Sequence, residues 1–472
     1  MKIRKNSMII IFLMVTWLLI LIFTPHFNFS ETFTIKLLSM FGVIELMIIY
    51  YTEYLKTGKW FTLYTIFISF YFFFNYGQCL MWAFGFHTDH EIGKWWVYIF
   101  NPASASVIIK TQLFVLKSGY FFHCGAMVCH LFKRKYDNII TKNDLLFKAN
   151  LILSFITVPC MFYSVIHNLI VSMSHGYSSL YYGEYAYSGN SLLIILGGMG
   201  FACLIGLLFN SNFDKKVIKW VYIIFGLYVL FDLASGDRGG FLYKLILLFY
   251  LYNTYYKKIS LKKLIIYSVI GLMSLYFIYA VKDIRNDGIS LSSIINALDF
   301  QNNPIIKAMF EMGFSMNIVI VLLSRNPVYP FGNTYINGII GMPTAHTVEI
   351  FKPGYIGVSE WFSQKYLNIS YGAGFSIIGE SYINFGYYGS FLMQFLIGIM
   401  VYALLNPIIK GISSNNRGVM SVIAASLLIP LCRNTFQIFA KNFFYGVIIY
   451  YIFILIIYNF LKKKGVNYET KN

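Results

Sequence analysis

Charge is what this sequence has little of. Only 12% of its 472 residues are Asp, Glu, Lys or Arg, about half the share usual in a soluble globular domain. A chain so poor in charge needs another solvent, and lipid is the obvious one. Acidic residues are scarcest, 19 against 37 basic ones, for a net charge of +18. That excess is not gathered into a basic domain, which argues against nucleic acid as the partner. The six cysteines all fall within apolar segments, which argues against a disulfide-stapled extracellular domain. There is no Walker A run, no H-E-x-x-H and no G-x-S-x-G, so no nucleotide-driven chemistry and no cofactor are expected. The cluster HCGAMVCH, His123 to His130, matches no zinc spacing. It reads as polar residues satisfied inside a helix bundle, and no metal is expected.

What is abundant is apolar and aromatic: 58% hydrophobic residues, 19% Phe, Trp and Tyr, and a mean hydropathy of +0.64. Repeated apolar runs of membrane-crossing length predict an all-α, polytopic helical membrane protein. About twelve spans are expected, near residues 8–23, 35–51, 60–80, 111–131, 150–172, 191–209, 217–234, 240–255, 263–281, 387–407, 418–438 and 443–461, in a single integral membrane domain over 1–472. The start, MKIRKNSMIIIFLMVTWLLILIF, has no small-residue cleavage site and reads as a retained first span. With that terminus inside, 23 of the 37 basic residues fall on the inner side, while the opposite loops 24–34 and 173–190 hold none. The positive-inside rule therefore puts both termini in the cytoplasm.

The run PIIKAMFEMGFSMNIVIVLL, residues 304–323, interrupts this alternation. A full crossing would turn the Lys462–Lys464 cluster outward, so the run is expected to be a short or re-entrant helix. One large outer loop then spans residues 282–386, with five of the ten prolines and seven of the nineteen acidic residues. A long loop rich in Tyr, Phe and Trp reads as functional rather than disordered.

Several charges gather on that outer side. Asp237 and Arg238 occupy a Gly-flanked turn, SGDRGG, before a helix whose N-terminus suits an anion. Arg285 follows in VKDIRND. Arg433 is expected about 22 Å into a helix entered from the cytoplasm, with Gln437 and Lys441 continuing a polar stripe. There it either faces a partner or snorkels to headgroups. Glu311, in an apolar run, is the first candidate for a general base and Glu380 the second. Ser376, Glu380 and Asn384 are spaced to share one helix face. A structural ion pair with an arginine is the competing role for each acid. Tyr335 and Trp361 are candidates to stack on sugar faces, with an interfacial aromatic belt as the alternative.

Together SGDRGG (235–240), VKDIRND (281–287), EMGFS (311–315), GAGFSIIGESYINFGYYG (372–389) and CRN (432–434) resemble the O-antigen polymerase family, the Wzy-type oligosaccharide repeat-unit polymerases. A spacing described in some members, Arg followed after ten residues by Gly, is not kept: eleven residues on from Arg238, Arg285 and Arg325 stand Phe249, Asn296 and Ile336. The resemblance implies a GT-C-like, metal-independent glycosyltransferase of the bacterial inner membrane with a periplasmic active site. Donor and acceptor would both be oligosaccharides on undecaprenyl diphosphate. Arg238, Arg285 and Arg433 would hold the diphosphate, Asp237, Tyr335, Trp361 and Asn384 would contact substrate, and a chain-length regulator would be a partner. An O-antigen ligase has the same architecture, and a lipid-linked oligosaccharide flippase is the rival from another class. The segment GFSIIGESYINFG favours polymerase, and the absence of paired halves disfavours a transporter.

Overall fold

The computed structural model describes residues 2–469 except 28, 87–102, 132–138, 181–184, 186–187, 236–239, 370–371 and 408–411; within 261–311 it describes only 262–263, 265–266, 269, 273, 306 and 309–310. Among the described residues the secondary structure is helical, with no strand. In chain order the helices are α1 (Lys2–Phe23), α2 (Glu31–Thr57), α3 (Leu63–Ala83), α4 (Ala105–Leu131), α5 (Asp144–His175), α6 (Ser191–Gly198), α7 (Gly200–Asn210), α8 (Lys215–Ser235), α9 (Gly240–Leu251), α10 (Ser315–Arg325), α11 (Thr334–Ile340), α12 (His346–Phe351), α13 (Ile377–Leu405), α14 (Ser414–Leu431), α15 (Phe436–Phe443) and α16 (Tyr450–Glu469).

Seven helical stretches among the described residues are long and apolar enough to cross a membrane, where the sequence predicts twelve. α6 and α7 count as one of these, as does the run from α15 into α16. The expected span 263–281 lies almost wholly outside the described residues. The expected spans at 60–80, 111–131, 240–255 and 418–438 appear as α3, α4, α9 and α14. α9 is only 12 residues long, about 18 Å, and α4 carries Lys110, Gln112, Lys117 and His123 along its length. The run 304–323 is broken at Gly313, and the 11-residue α10 that follows is about 16 Å long, half of a bilayer core.

The chain forms two compact units. One combines Met1–Val128, Lys257–Pro330 and Gly374–Ile399; the other combines Cys129–Tyr256, Phe331–Ala373 and Met400–Asn472. The described part of 282–386 is thus shared between them.

In the first unit local chemistry sets the helix ends. Thr62 and Thr65 form a reciprocal capping box at the start of α3, and Gly58 in the left-handed region ends α2, its N–H on the Tyr54 carbonyl at 2.8 Å. The buried positions of α2 run Leu38, Gly42, Glu45, Ile49, Thr52, alternating steps of four and three that make one seam. Gly42 admits the Tyr76 ring, whose hydroxyl donates to the Leu38 carbonyl at 2.8 Å. Lower on the seam, Trp17 Nε1 donates to Glu45 at 3.1 Å. His123 of α4 has both ring nitrogens engaged, by Thr52 and Tyr64, each at 2.8 Å. His123 is thus satisfied within the helix bundle. A buried polar group in such a helix bundle is best bonded within the protein, as Thr52, His123, Tyr76 and one oxygen of Glu45 are here.

The second unit is built on α5, which is packed by α6, α7, α8 and α16. Asn143 caps α5, and Asn150 accepts from the Tyr450 hydroxyl of α16 at 2.7 Å, with Gly206 of α7 leaving room for the amide. Asn415 of α14 donates to the carbonyls of Thr141 and Phe209, at 2.6 and 3.2 Å.

Glycine-to-backbone contact holds α4 against the later part of α13. A Cβ at Gly125 would overlap the Phe395 carbonyl, and one at Gly398 would overlap the Phe122 carbonyl, the small-residue packing that brings membrane helices together. Gly125→Ala and Gly398→Ala are each expected to cost about 1–3 kcal/mol through overpacking, read as a lower unfolding temperature of the solubilised protein. Gly226→Ala in α8, where an added Cβ meets nothing within 4 Å, should be neutral or slightly stabilising.

Candidate functional site

The most characteristic stretch of the sequence folds into a helical hairpin in the first unit. Ser376 begins it: its hydroxyl oxygen accepts from the N–H groups of Ile378 and Gly379 at 3.2 and 3.1 Å, capping the first turn of α13. The same hydroxyl donates to Asn75 Oδ1 of α3 at 2.7 Å. Gly386, at φ 67° and ψ −167°, then breaks α13. Gln394 beyond the break donates to the Ile377 carbonyl at 3.0 Å and to Ser381 Oγ at 2.8 Å. Seventeen residues along an unbroken helix would separate these groups by about 25 Å, so the two arms must fold back on each other. The sequence places a span at 387–407 preceded by loop; the structure adds a short helical arm, 377–385, ahead of it.

Glu380 lies in the first turn of this arm and is 1% exposed. Asn384 donates to the Glu380 carbonyl at 2.6 Å, so Ser376, Glu380 and Asn384 do follow one another up a single helix at steps of four. Other buried polar residues of the first unit's described part include Asn75, Gln78, Asn317, Ser381 and Gln394, each at most 1% exposed. Tyr71 donates to Gln394 at 3.1 Å, closing the set. A carboxylate in the first turn of a helix is stabilised by the helix dipole, and one in this position is a candidate general base.

The other sequence candidate for a base, Glu311, lies outside the described residues. Its neighbours are described: Gln78 donates to the Phe310 carbonyl at 3.2 Å, and Gly313 packs backbone to backbone on Gly77. α10 then runs beside the hairpin, with Leu322 against Gly379 and Asn326 accepting from the Tyr382 hydroxyl at 3.1 Å. The segments carrying EMGFS and GAGFSIIGES, some sixty residues apart, therefore converge on Asn75–Gln78 of α3. The sequence reading missed Asn75 and Gln78. Two amides inside the strongly aromatic run FYFFFNYGQCL were the available signal, since each must find a partner there.

The second unit holds the remaining described candidates. Arg433 is not inside a helix, as the sequence suggested. α14 ends at Leu431, and Arg433 stands exposed in the turn before α15. Hydropathy continues smoothly through 418–438 and does not register the turn; Asn434 and Thr435, cap-forming types, do. Gln437 accordingly belongs to α15, where it accepts from the Tyr355 hydroxyl at 2.9 Å. Tyr335 packs its ring 5.3 Å from that of Phe436, and Trp361 lies 5.6 Å from Tyr366; both are buried. Phe351 of this unit is 72% exposed; on the hairpin of the first unit, Phe385 and Tyr388 are 44% and 83% exposed. Asp237, Arg238 and Arg285 lie outside the described residues. α8 and α9 end and begin on either side of 236–239, so a helix N-terminus does follow that turn.

Two substitutions test the hairpin. Gly386 occupies a backbone region open almost only to glycine, so Gly386→Ala should cost about 1–3 kcal/mol. Ser376→Ala, which loses the cap and the Asn75 bond, should cost about 1–2 kcal/mol. Thermal unfolding of the solubilised protein measures both, and unchanged unfolding in either would contradict the hairpin geometry.

No curated protein and no solved structure matches this chain. The family model described as O-antigen polysaccharide polymerase Wzy matches residues 7–465, nearly its whole length. With the membrane-spanning helices and the buried acid of the hairpin on the page, that match identifies the chain as a multi-pass membrane protein belonging to the O-antigen polysaccharide polymerase Wzy family.

Proposed function

We propose that the protein joins oligosaccharide repeat units carried on undecaprenyl diphosphate, at the periplasmic face of the bacterial inner membrane. A hydroxyl oxygen of the acceptor unit attacks the anomeric carbon of the donor chain. The bond from that carbon to the diphosphate oxygen breaks, and undecaprenyl diphosphate leaves with the electron pair. The acceptor proton passes to a carboxylate, Glu380 or Glu311. Because a diphosphate departs as a stable anion, the reaction needs cations near the leaving group more than a general acid. Arg238, Arg285 and Arg433 are the residues assigned to that task, through charge-assisted hydrogen bonds to phosphoryl oxygens. No step of this scheme requires a metal.

The observation that carries this reading is the capped hairpin that buries Glu380 in the first turn of its arm. A carboxylate in the first turn of such a buried arm is a group that can accept the proton of an attacking hydroxyl. The convergence of the Glu311 and Glu380 segments on one turn of α3 adds support for both acids. The topology rests on the distribution of Lys and Arg. A chain-length regulator enters only through family likeness.

The test is a lipopolysaccharide gel from cells lacking the gene and complemented with variants. Wild type should restore a polymer ladder, and the empty strain should show a single repeat on the core. Bare core in the empty strain would point to ligation or transport and sink the polymerase reading. Glu380→Gln should lower polymerisation at least about 100-fold, the contribution usual for a general base, with the protein still present in the membrane. A full ladder from Glu380→Gln would pass the role to Glu311. Arg433→Ala should weaken the ladder by shortening its chains.

A further inference from the structure

α9 carries one charge in an otherwise apolar helix, GFLYKLILLFYL. This is Lys244, which sequence reasoning passed over. Its ammonium donates to the Tyr228 hydroxyl of α8 at 3.0 Å and lies 4.7 Å from the centre of the same ring. Both contacts are to an uncharged group. Asp232, one turn further along α8 on the Tyr228 face, is buried. Among the described residues Lys244 has no carboxylate within 4 Å.

A lysine in an otherwise apolar helix is costly to keep from water, and a phenol does not neutralise it. Such residues normally face a partner or a polar pathway. Lys244 is four residues into α9, about 6 Å from the helix start, on the half of the α8–α9 pair nearest their connection. There the Tyr228 ring and hydroxyl hold the ammonium in place while leaving its remaining two N–H donors for an anion.

We propose that Lys244, held by Tyr228, is an anion-binding residue that takes a phosphoryl oxygen of the lipid-linked diphosphate. This rests on the polymerase reading and adds to it a cation placed within the membrane-side helices. Its ammonium would meet the phosphate on the polyprenyl side, and binding there would anchor the carrier before the sugars are aligned. Tyr228 is a positioning residue in this scheme, acting through Lys244.

The experiment measures binding of farnesyl diphosphate to the purified full-length protein in neutral phosphatidylcholine nanodiscs. Lys244→Gln and Lys244→Met should each weaken it about tenfold, the loss of one charge-assisted hydrogen bond. Lys244→Arg should stay within about threefold of wild type. Tyr228→Phe should fall between, since the ring contact survives and the hydroxyl does not. Lys244→Met also relieves the cost of burying charge, so a folded and more stable variant with wild-type affinity would show a merely structural lysine and overturn the proposal. Inorganic pyrophosphate that competes, and loses affinity in the same variants, supports phosphoryl recognition. Competition by added phosphatidylglycerol with none by pyrophosphate would assign the site to bulk lipid headgroups and overturn it. The gel of the preceding section separates the two readings. Wild type that binds farnesyl diphosphate through Lys244 but forms no polymer sinks the polymerase and leaves the site. A polymerising wild type with unaltered Lys244→Gln binding sinks the site alone.

Discussion

The hydrogen bond from Ser376 to Asn75 is the constraint on which the first unit's site depends. One hydroxyl does two things: it caps the first arm of α13 and ties that arm to α3. Without the tie, the arm from Ile377 to Gly386 would be a short helix on a broken backbone, with little of its own to keep it in place. With it, Gln394 can reach back to Ile377 and Ser381, and Glu380 is held where water does not reach. Each of these bonds satisfies a group that hydrocarbon could not, so the hairpin and its acid are stabilised together.

The same solvent explains the uses of glycine and amide elsewhere. Apolar side chains gain little by leaving lipid for one another, so helices are held by close backbone approach and by the few polar side chains that must pair. Gly125 and Gly398 let α4 and α13 touch backbone to side. Asn150, Asn415 and His123 pin helices that are distant in sequence. Each unit gathers three separate stretches of chain, and these polar pins are what make such an assembly specific rather than a loose bundle.

Charge is used differently from polarity. Glu380 is buried in the first turn of a helical arm, Lys244 is held by a phenol, and Arg433 stands exposed on a turn. A reaction that expels a diphosphate and releases a proton needs positive charge for the first and an available carboxylate for the second.

Much of this was legible in the residues. Low charge and long apolar runs dictate a helical membrane protein, because only helices or closed barrels satisfy their backbone in lipid. The steps of four from Ser376 through Glu380 to Asn384 announced one helix face, and GAGFSIIGES marked the place where the acid is buried. Tertiary structure decided the rest. Nothing in local propensity says that Gly386 turns the helix back on itself, that the EMGFS segment meets the same turn of α3, or that Arg433 falls in a turn. Hydropathy averages over a window and cannot distinguish a helix that continues from one that ends and restarts. Those outcomes were set by which polar groups found partners, Asn75 with Ser376 and Gln78 with Phe310. Pairings between residues hundreds of positions apart are a property of the folded chain alone.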